Sequence, residues 1–466
     1  MPEAIPFVLW SWVPATLLLF WKLAPARAAA ISLVGGWLIL PTARFADDVA
    51  GVAFPYWIMP ACLPSDYWTT KARVIGVALV LGVAAFDPGA RARFRPSWFD
   101  LPILGWCLVP LASGLYAGVD PVVASANAAY QSMAWGVPYF IGRLYFADPS
   151  GMNLLARSVV GGGLACLPGS LFEFARGPEL YRWIYGFHPY RTPGMGRYVG
   201  FRPILFFEDG NELGVWLAAS ALTAWWLWRS GTLGRFWGLP GGLVAALLVL
   251  QSLLAQSAGA VALMVGGALT LEVLFRVGRP WPLAALGVAL LLLIGARATN
   301  LVDAEAVARK TSIGRRLIEA STRLDRRSFG WRMKVEERGV KLALERPVLG
   351  RGRWDWWRDA GGGERPWGLV VLTLGMFGFI GWVLLLAVFA APVAALIKVG
   401  PPALWLAANR APAAALAGAL VLVGLDAILN PGVILTFVAA AGGLIGLERH
   451  AEASSAWLRR VQGFLP

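Results

Sequence analysis

The sequence predicts an all-α, polytopic integral membrane protein with about 12–14 transmembrane helices, and three observations carry that prediction. The first is balance. With 466 residues, 58% hydrophobic, 15% charged and a mean hydropathy of +0.62, the chain holds more apolar surface than its own polar residues can cover, so lipid must cover part of it. The second is segmentation: many apolar stretches approach the roughly 20 residues needed to cross the hydrocarbon layer, and most end at Arg, Lys, Asp, Pro or Gly. The third is that basic residues recur at alternate ends of these stretches, the pattern of cytoplasmic loops.

In chain order the candidate spans are 5–20, 28–40, 49–63, 74–86, 101–115, 122–141, 154–171, 213–228, 236–254, 258–275, 281–294, 367–389, 402–425 and 431–447. From the fifth onward one parity collects Arg91, Arg93, Arg95, Arg143, Arg229, Arg235, Arg276, Arg279, Lys398, Arg410, Arg449, Arg459 and Arg460. That side is expected to be cytoplasmic. Lys22 and Arg27 demand the opposite parity, so one of 49–63 and 74–86 is expected to be re-entrant or to join its neighbour. The first apolar stretch leads at once into another and reads as a retained anchor. Cys62, Cys107 and Cys166 lie in or beside apolar runs as buried thiols, and His188 and His450 are too far apart to suggest a histidine-based metal cluster. The run 403–419 reads as a small-residue packing helix.

This division gives N-terminal helices over 1–171, a first outer loop over 172–210, central helices over 211–296, a large basic outer loop over 297–365 and C-terminal helices over 366–466. The large loop holds 17 Lys or Arg against 10 Asp or Glu. On the outer face that charge opposes the positive-inside tendency, and an anionic substrate is the best reason for it. Nucleic acid is a poor account of the net charge of +14, because the most basic segment is expected outside the cell.

The first loop is rich in Pro and Gly and is expected to form short helices and turns. Tyr181, Trp183, Tyr185 and Tyr190 suit either lipid headgroups or a sugar-stacking platform. Arg197 and Arg202 offer planar forks suited to a diphosphate, against the plainer role of pairing with Glu208, Asp209 or lipid phosphate. Asp209 or Asn211 is expected to cap the next helix, with Glu212 in its first turn, although Glu208 or Glu212 there could also serve as a base.

The second loop is expected to contain a helix over 329–344, with Trp331, Val335 and Leu342 near one face and Arg332–Glu336 and Glu337–Lys341 as i,i+4 pairs. Pro347 to Gly352 should form a tight turn. Trp354, Trp356 and Trp357 then read as interface anchors. Glu364 and Arg365 fall ahead of the next span, either as a salt-bridged anchor or as an acceptor-side carboxylate beside an anion-holding arginine.

Two stretches, GRYVGFRPILFFEDGNELG before a span and SFGWRMKVEERGVKLALERPVLGRG in the large loop, occur in order with a following GMFG and a late DAILNP. Together, over roughly Trp98 to Leu447, they resemble the O-antigen ligase and Wzy-type polysaccharide polymerase superfamily. The resemblance implies a GT-C-like glycosyltransferase of the bacterial inner membrane, with both polar loops periplasmic. Such a protein moves a glycan from polyprenyl diphosphate to an acceptor sugar hydroxyl, with no nucleotide sugar and no metal or other cofactor. Arg197 matches the superfamily's arginine before a Gly-containing turn, and Arg332 the arginine that opens the loop helix ahead of Pro347, Gly350 and Gly352. Ligases of this kind carry His-Asn about eleven residues before Gly-x-x-Gly. Counting back from Gly375 reaches Glu364 and Arg365 instead, which points to a polymerase or a divergent ligase.

The implied mechanism assigns Arg197, Arg332 and Glu364 to catalysis, the arginines on the leaving diphosphate and Glu364 on the acceptor hydroxyl. Arg202, Glu208, Asn211, Glu212 and Arg365 are the expected substrate-binding residues. Expected partners are the lipid-linked glycan, the acceptor glycan, membrane lipids and envelope polysaccharide assembly proteins. A lipid-linked glycan transporter is the main competing class, but it would more naturally carry mid-span charges and internal repeats.

Overall fold

The computed structural model describes residues 4–42, 69–186, 199–298, 311, 328–360 and 366–462, apart from 367, 429, 431 and 433. Those residues form helices joined by tight turns. They are α1 (Ala4–Lys22), α2 (Pro25–Ile39), α3 (Lys71–Phe86), α4 (Leu101–Tyr116), α5 (Pro121–Gln131), α6 (Val137–Tyr145), α7 (Pro149–Ala165), α8 (Leu167–Arg176), α9 (Leu180–Tyr185), α10 (Gly210–Arg229), α11 (Gly241–Leu254), α12 (Ala258–Val277), α13 (Trp281–Ala298), α14 (Ser328–Ala343), α15 (Leu369–Val399), α16 (Ala411–Asp426) and α17 (Leu435–Gln462). A single two-stranded hairpin, β1 (Arg235–Phe236) and β2 (Leu239–Pro240), precedes α11 among the described residues.

Five helical segments among the described residues are long and apolar enough to cross a membrane: Ala4–Lys22, Trp98–Tyr116, Pro149–Arg176, Ala258–Val277 and Leu369–Val399. Two of them, α1 and α12, bury only 22% of their most apolar window inside the protein, leaving Phe7, Trp21, Val265 and Leu269 among the exposed side chains. Bare apolar stripes of this kind need a lipid cover, so the chain is a helical membrane protein. By contrast α10 and α16 are enclosed by their neighbours, with Trp216, Trp226, Leu416 and Leu420 at the centre of the core.

Specific contacts fix the direction of each helix. Trp226 near the end of α10 donates to the Trp405 carbonyl just ahead of α16, so these two helices run antiparallel. At the other end of α16 the Ala427 carbonyl accepts from Leu369 N at 2.9 Å, which brings the start of α15 there. Trp37 at the end of α2 donates to Glu212 at the start of α10, and Lys71 at the start of α3 reaches the carbonyls of Trp37 and Phe206. One end of the bundle therefore gathers the starts of α3, α10 and α15 with the ends of α2 and α16. The opposite end gathers Arg93 on Asp87, Arg143 on Asp100, Arg229 and Arg276 on Glu272, and Lys398 on Glu448.

That arginine-rich end contains the basic set expected on one side of the membrane. The N-terminal parity conflict also disappears. Because α2 ends where α3 begins, Lys22 and Arg27 fall at the same end as Arg91, and 74–86 belongs to a helix in its own right. The candidate 49–63 and Cys62 lie outside the described residues.

Several boundaries differ from expectation. The candidate 236–254 begins in the hairpin, where Gly241 N bonds back to the Gly234 carbonyl, so the helix starts only at Gly241. The small-residue helix begins at Ala411 rather than at 403, since Pro401 and Pro402 confine the preceding residues to a short turn. The run 122–141 is helical throughout but passes through a π turn at Ser132–Gly136. Cys107 and Cys166 are buried free thiols, as expected.

Candidate functional site

Both polar loops are anchored at the end of the bundle opposite the arginine-rich end. At the first anchor, Asp209 adopts extended backbone and accepts from Asn211 N and Glu212 N at 2.8 Å each, so Asp209 is the cap of α10. The Asn211 side chain receives Arg202 at 2.7 Å. Arg202 is buried and lies across Gly210, where a Cβ would come 2.4 Å from its Nε. Glycine at 210 is thus what lets the guanidinium lie over the helix start.

Glu212 uses both carboxylate oxygens, one on Trp37 Nε1 at 3.1 Å and one on the backbone N–H of Glu208 at 2.8 Å. Below it is Lys71, 1% exposed, whose ammonium lies 4.5 Å from the Trp37 ring centre and feels the charge of Glu212 and Glu208. Sequence reasoning missed Lys71 and Trp37, because a lysine opening an apolar run ordinarily extends to water. Removing a buried ammonium leaves the carbonyls it serves and the neighbouring carboxylates without compensation, at a cost of about 1–3 kcal/mol. Lys71→Met should therefore lower the unfolding free energy of the purified protein by about 2 kcal/mol. Adding Glu212→Gln should restore part of that loss; equal and additive losses would show that the two charges are uncoupled.

The loop above α10 is held by Glu173, a fully buried carboxylate also missed from sequence. It accepts Ile204 N at 2.7 Å, Leu205 N at 2.8 Å and Leu180 N at 3.2 Å. Leu205 has φ +56°, a left-handed conformation that these bonds help to maintain. The expected aromatic platform divides. Tyr181 and Tyr185 turn inward against Phe206, with the Tyr181 hydroxyl donating to the Thr42 carbonyl, while Trp183 stays exposed. A spacing of four residues puts both tyrosines on the buried face of α9, which removes them from a lipid- or sugar-facing surface. Tyr190 and His188 lie outside the described residues.

At the second anchor, α14 forms where the loop helix was expected, and Glu337 pairs with Lys341 at 2.7 Å. Val335 and Val340 are buried along one face, with Leu342 half-buried. Glu336, fully enclosed, accepts Gly368 N at 2.7 Å and so supplies a carboxylate to the start of α15. Close approach demands glycine at 368, since a Cβ there would sit 2.1 Å from the Ile428 carbonyl oxygen.

The GMFG element explains itself in three dimensions. α15 is interrupted at Gly378, with φ +64° and ψ −161°, a region open essentially to glycine alone. The Pro347–Gly352 turn fills the break. Phe379 N donates to the Pro347 carbonyl at 2.7 Å, and Arg351 N and Gly352 N donate to the carbonyls of Gly375 and Met376 at 2.9 Å each. Ser113 near the end of α4 donates to the same backbone at Met376 and Leu349. The turn thus supplies partners to backbone groups on both sides of the break, with Ile380 N also donating to the Val348 carbonyl at 3.3 Å. At 31 residues α15 is about 46 Å long, whereas the part after Gly378 spans about 31 Å, close to the hydrocarbon thickness. The segment before the break is entirely enclosed by protein.

Trp354, Trp356 and Trp357 are 3%, 0% and 3% exposed, which corrects their reading as interface anchors. They pack edge-to-face on one another and over Gly375, where any Cβ would come 2.0 Å from the Trp356 ring. Their apolar area is used to close the second loop against α15.

Arg202, Glu208, Asn211 and Glu212 are brought together at the first anchor. Arg332 lies on α14, in the same helix as Glu336, and its side chain falls outside the described part. Arg197, Glu364 and Arg365 lie outside the described residues. Asp426, hydrogen-bonded by Asn430 at 3.0 Å, stands at the end of α16, the helix that packs on α10 and meets the start of α15. Among the described residues no group of three or more His, Cys, Asp and Glu could hold a metal ion. No family model matches the chain, and neither does any curated protein sequence.

Proposed function

We propose that this chain is a GT-C-like, metal-independent glycosyltransferase with about 12–14 crossings, which extends a polysaccharide at the end of the bundle that holds the two loop anchors. That end faces the periplasm of the bacterial inner membrane. The donor is a glycan on polyprenyl diphosphate, and the acceptor is a sugar hydroxyl. Arg197 and Arg332, with Arg202 behind them, hold the diphosphate, and Glu364 receives the proton of the acceptor hydroxyl. The hydroxyl oxygen forms the new bond to the anomeric carbon as the bond from that carbon to the diphosphate oxygen breaks, and polyprenyl diphosphate leaves with the electron pair. Displacement in one step inverts the anomeric configuration.

The observation that supports this reading is the shared location of the anchors. Arg202 and Asn211 at the start of α10, and Glu336 on the Arg332 helix at the start of α15, are linked through the end of α16. Two arginine-bearing loops built separately in sequence are thereby tied to one end of one bundle, where a membrane-borne diphosphate and an aqueous acceptor can meet. Purified protein in liposomes, given a lipid-linked oligosaccharide, should lengthen it. Movement of the oligosaccharide between leaflets without lengthening would establish a transporter instead. In cells, deletion should leave undersized glycans, whereas accumulation of full-length lipid-linked chains would assign the protein as a divergent ligase.

A further inference from the structure

The proposed reaction leaves a cavity among the described residues unused. It lies at the arginine-rich end, measures about 460 Å³, and opens between the start of α4, α6 and the Arg449 turn of α17. Ile103, Leu104, Cys107 and Phe140 make its walls, and Gly136, the last residue of the π turn, makes part of its floor. A Cβ at 136 would come 3.1 Å from Cys107 Sγ, so the missing side chain keeps that floor open. From Ser97 to Cys107 the lining follows ten residues of chain, about 15 Å when helical. Its outer lip faces lipid: Trp98 is 83% exposed and Leu104 55%. The cavity thus has apolar walls along the start of α4 and a lip of exposed apolar side chains, including Trp98, turned to the bilayer.

The slot has a polar head whose internal charges are already matched. Asp100 receives Arg143 at 3.0 Å, the Tyr139 hydroxyl and Ser97 N. Lys398 bridges Glu448 and Glu452, and Arg449 adds a 2.8 Å bond to Glu452. Nearby, the hydrogen bond from Arg93 holds the Asp87 carboxyl below its ordinary range. What is left over is positive. Arg95 lies between the lining residues Phe94 and Pro96, is exposed, and has no acidic partner among the described residues; the same holds for Arg91. Arg449 lines the cavity too, with its charge met by Glu452 at 2.8 Å and Glu448 at 3.9 Å, so the surplus consists of Arg95 and Arg91. An apolar slot under a surplus of guanidinium groups matches a fatty chain joined to a phosphate.

We infer that this groove is a binding site for one anionic glycerophospholipid of the surrounding leaflet, with an acyl chain along α4 and the phosphate against Arg95. The inference does not rest on the transferase reading, because the groove and the loop anchors occupy opposite ends of the bundle.

Native mass spectrometry of the purified full chain, exchanged into detergent with equal phosphatidylglycerol and phosphatidylcholine, tests it. The wild type should retain one phosphatidylglycerol at least fivefold more than phosphatidylcholine. Leu104→Trp, which fills the slot from its lipid-facing lip, should abolish retention of both. Arg95→Glu should remove the preference for phosphatidylglycerol while the protein keeps its melting temperature. Equal retention of the two lipids by the wild type, unchanged retention in both variants, or occupation by a polyprenyl chain or a second copy of the protein would each overturn the assignment.

Discussion

Gly375→Ala should be among the most damaging single-methyl additions available in this protein. The new Cβ would lie 2.0 Å from the Trp356 ring, inside an enclosed layer where neither the helix backbone nor the stacked tryptophans have room to retreat. Overpacking of this kind costs about 1–3 kcal/mol, and the upper end is expected here. Folded yield and thermal transition of the detergent-purified protein report the loss. Trp356→Leu in the same chain should recover much of it, because the clash is with a side chain. Gly378→Ala should be at least as harmful and should not respond to Trp356→Leu, since its Cβ would meet the Val348 carbonyl carbon at 2.3 Å in a backbone region closed to L-residues. Recovery of both variants by the one tryptophan change would show that the break in α15 is not held by the Pro347–Gly352 turn.

The second large effect falls on activity. Arg197→Ala and Arg332→Ala, each at normal protein level in purified membranes, should reduce glycan transfer by about 10²–10³-fold, the usual consequence of removing a group that stabilises transition-state charge. On the proposed mechanism Glu364→Gln should reduce transfer while leaving binding of the lipid-linked donor intact, because it would remove the proton acceptor and spare the diphosphate contacts. Full transfer by both arginine variants would eliminate the diphosphate clamp. Full transfer by Glu364→Gln would eliminate only the base.

The two effects differ in how much of their basis could be read along the chain. The loop helix and the Glu337–Lys341 pair depend on neighbours within four residues and are legible along the chain, whereas the sequence narrows the cap of α10 to Asp209 or Asn211 and the bonds from Asn211 N and Glu212 N decide for Asp209. Apart from the bond of Glu173 to Leu180 N, the hydrogen bonds of Glu173, Lys71 and Glu336 reach partners 31 to 135 residues away, so little local marked these residues as buried. Aromatic residues are ambiguous in the sequence for a related reason. A tryptophan beside a polar loop suits either a membrane interface or a packed layer, and Trp354, Trp356 and Trp357 took the packed layer because Gly375 opens a face of α15 to them.

The sequence by itself determined the helical membrane class and the alternation of basic residues from Arg91 onward. These are properties of composition and of short-range periodicity, which survive without any knowledge of contacts. Only the tertiary structure decided that α2 and α3 meet at one end, that Arg202 lies over Gly210 onto Asn211, and that the second loop fills a break in α15. Each of those depends on which surfaces approach within a few ångströms. In a chain where nearly every helix is apolar on several faces, that is settled by glycine-sized gaps and backbone groups needing partners, not by hydropathy.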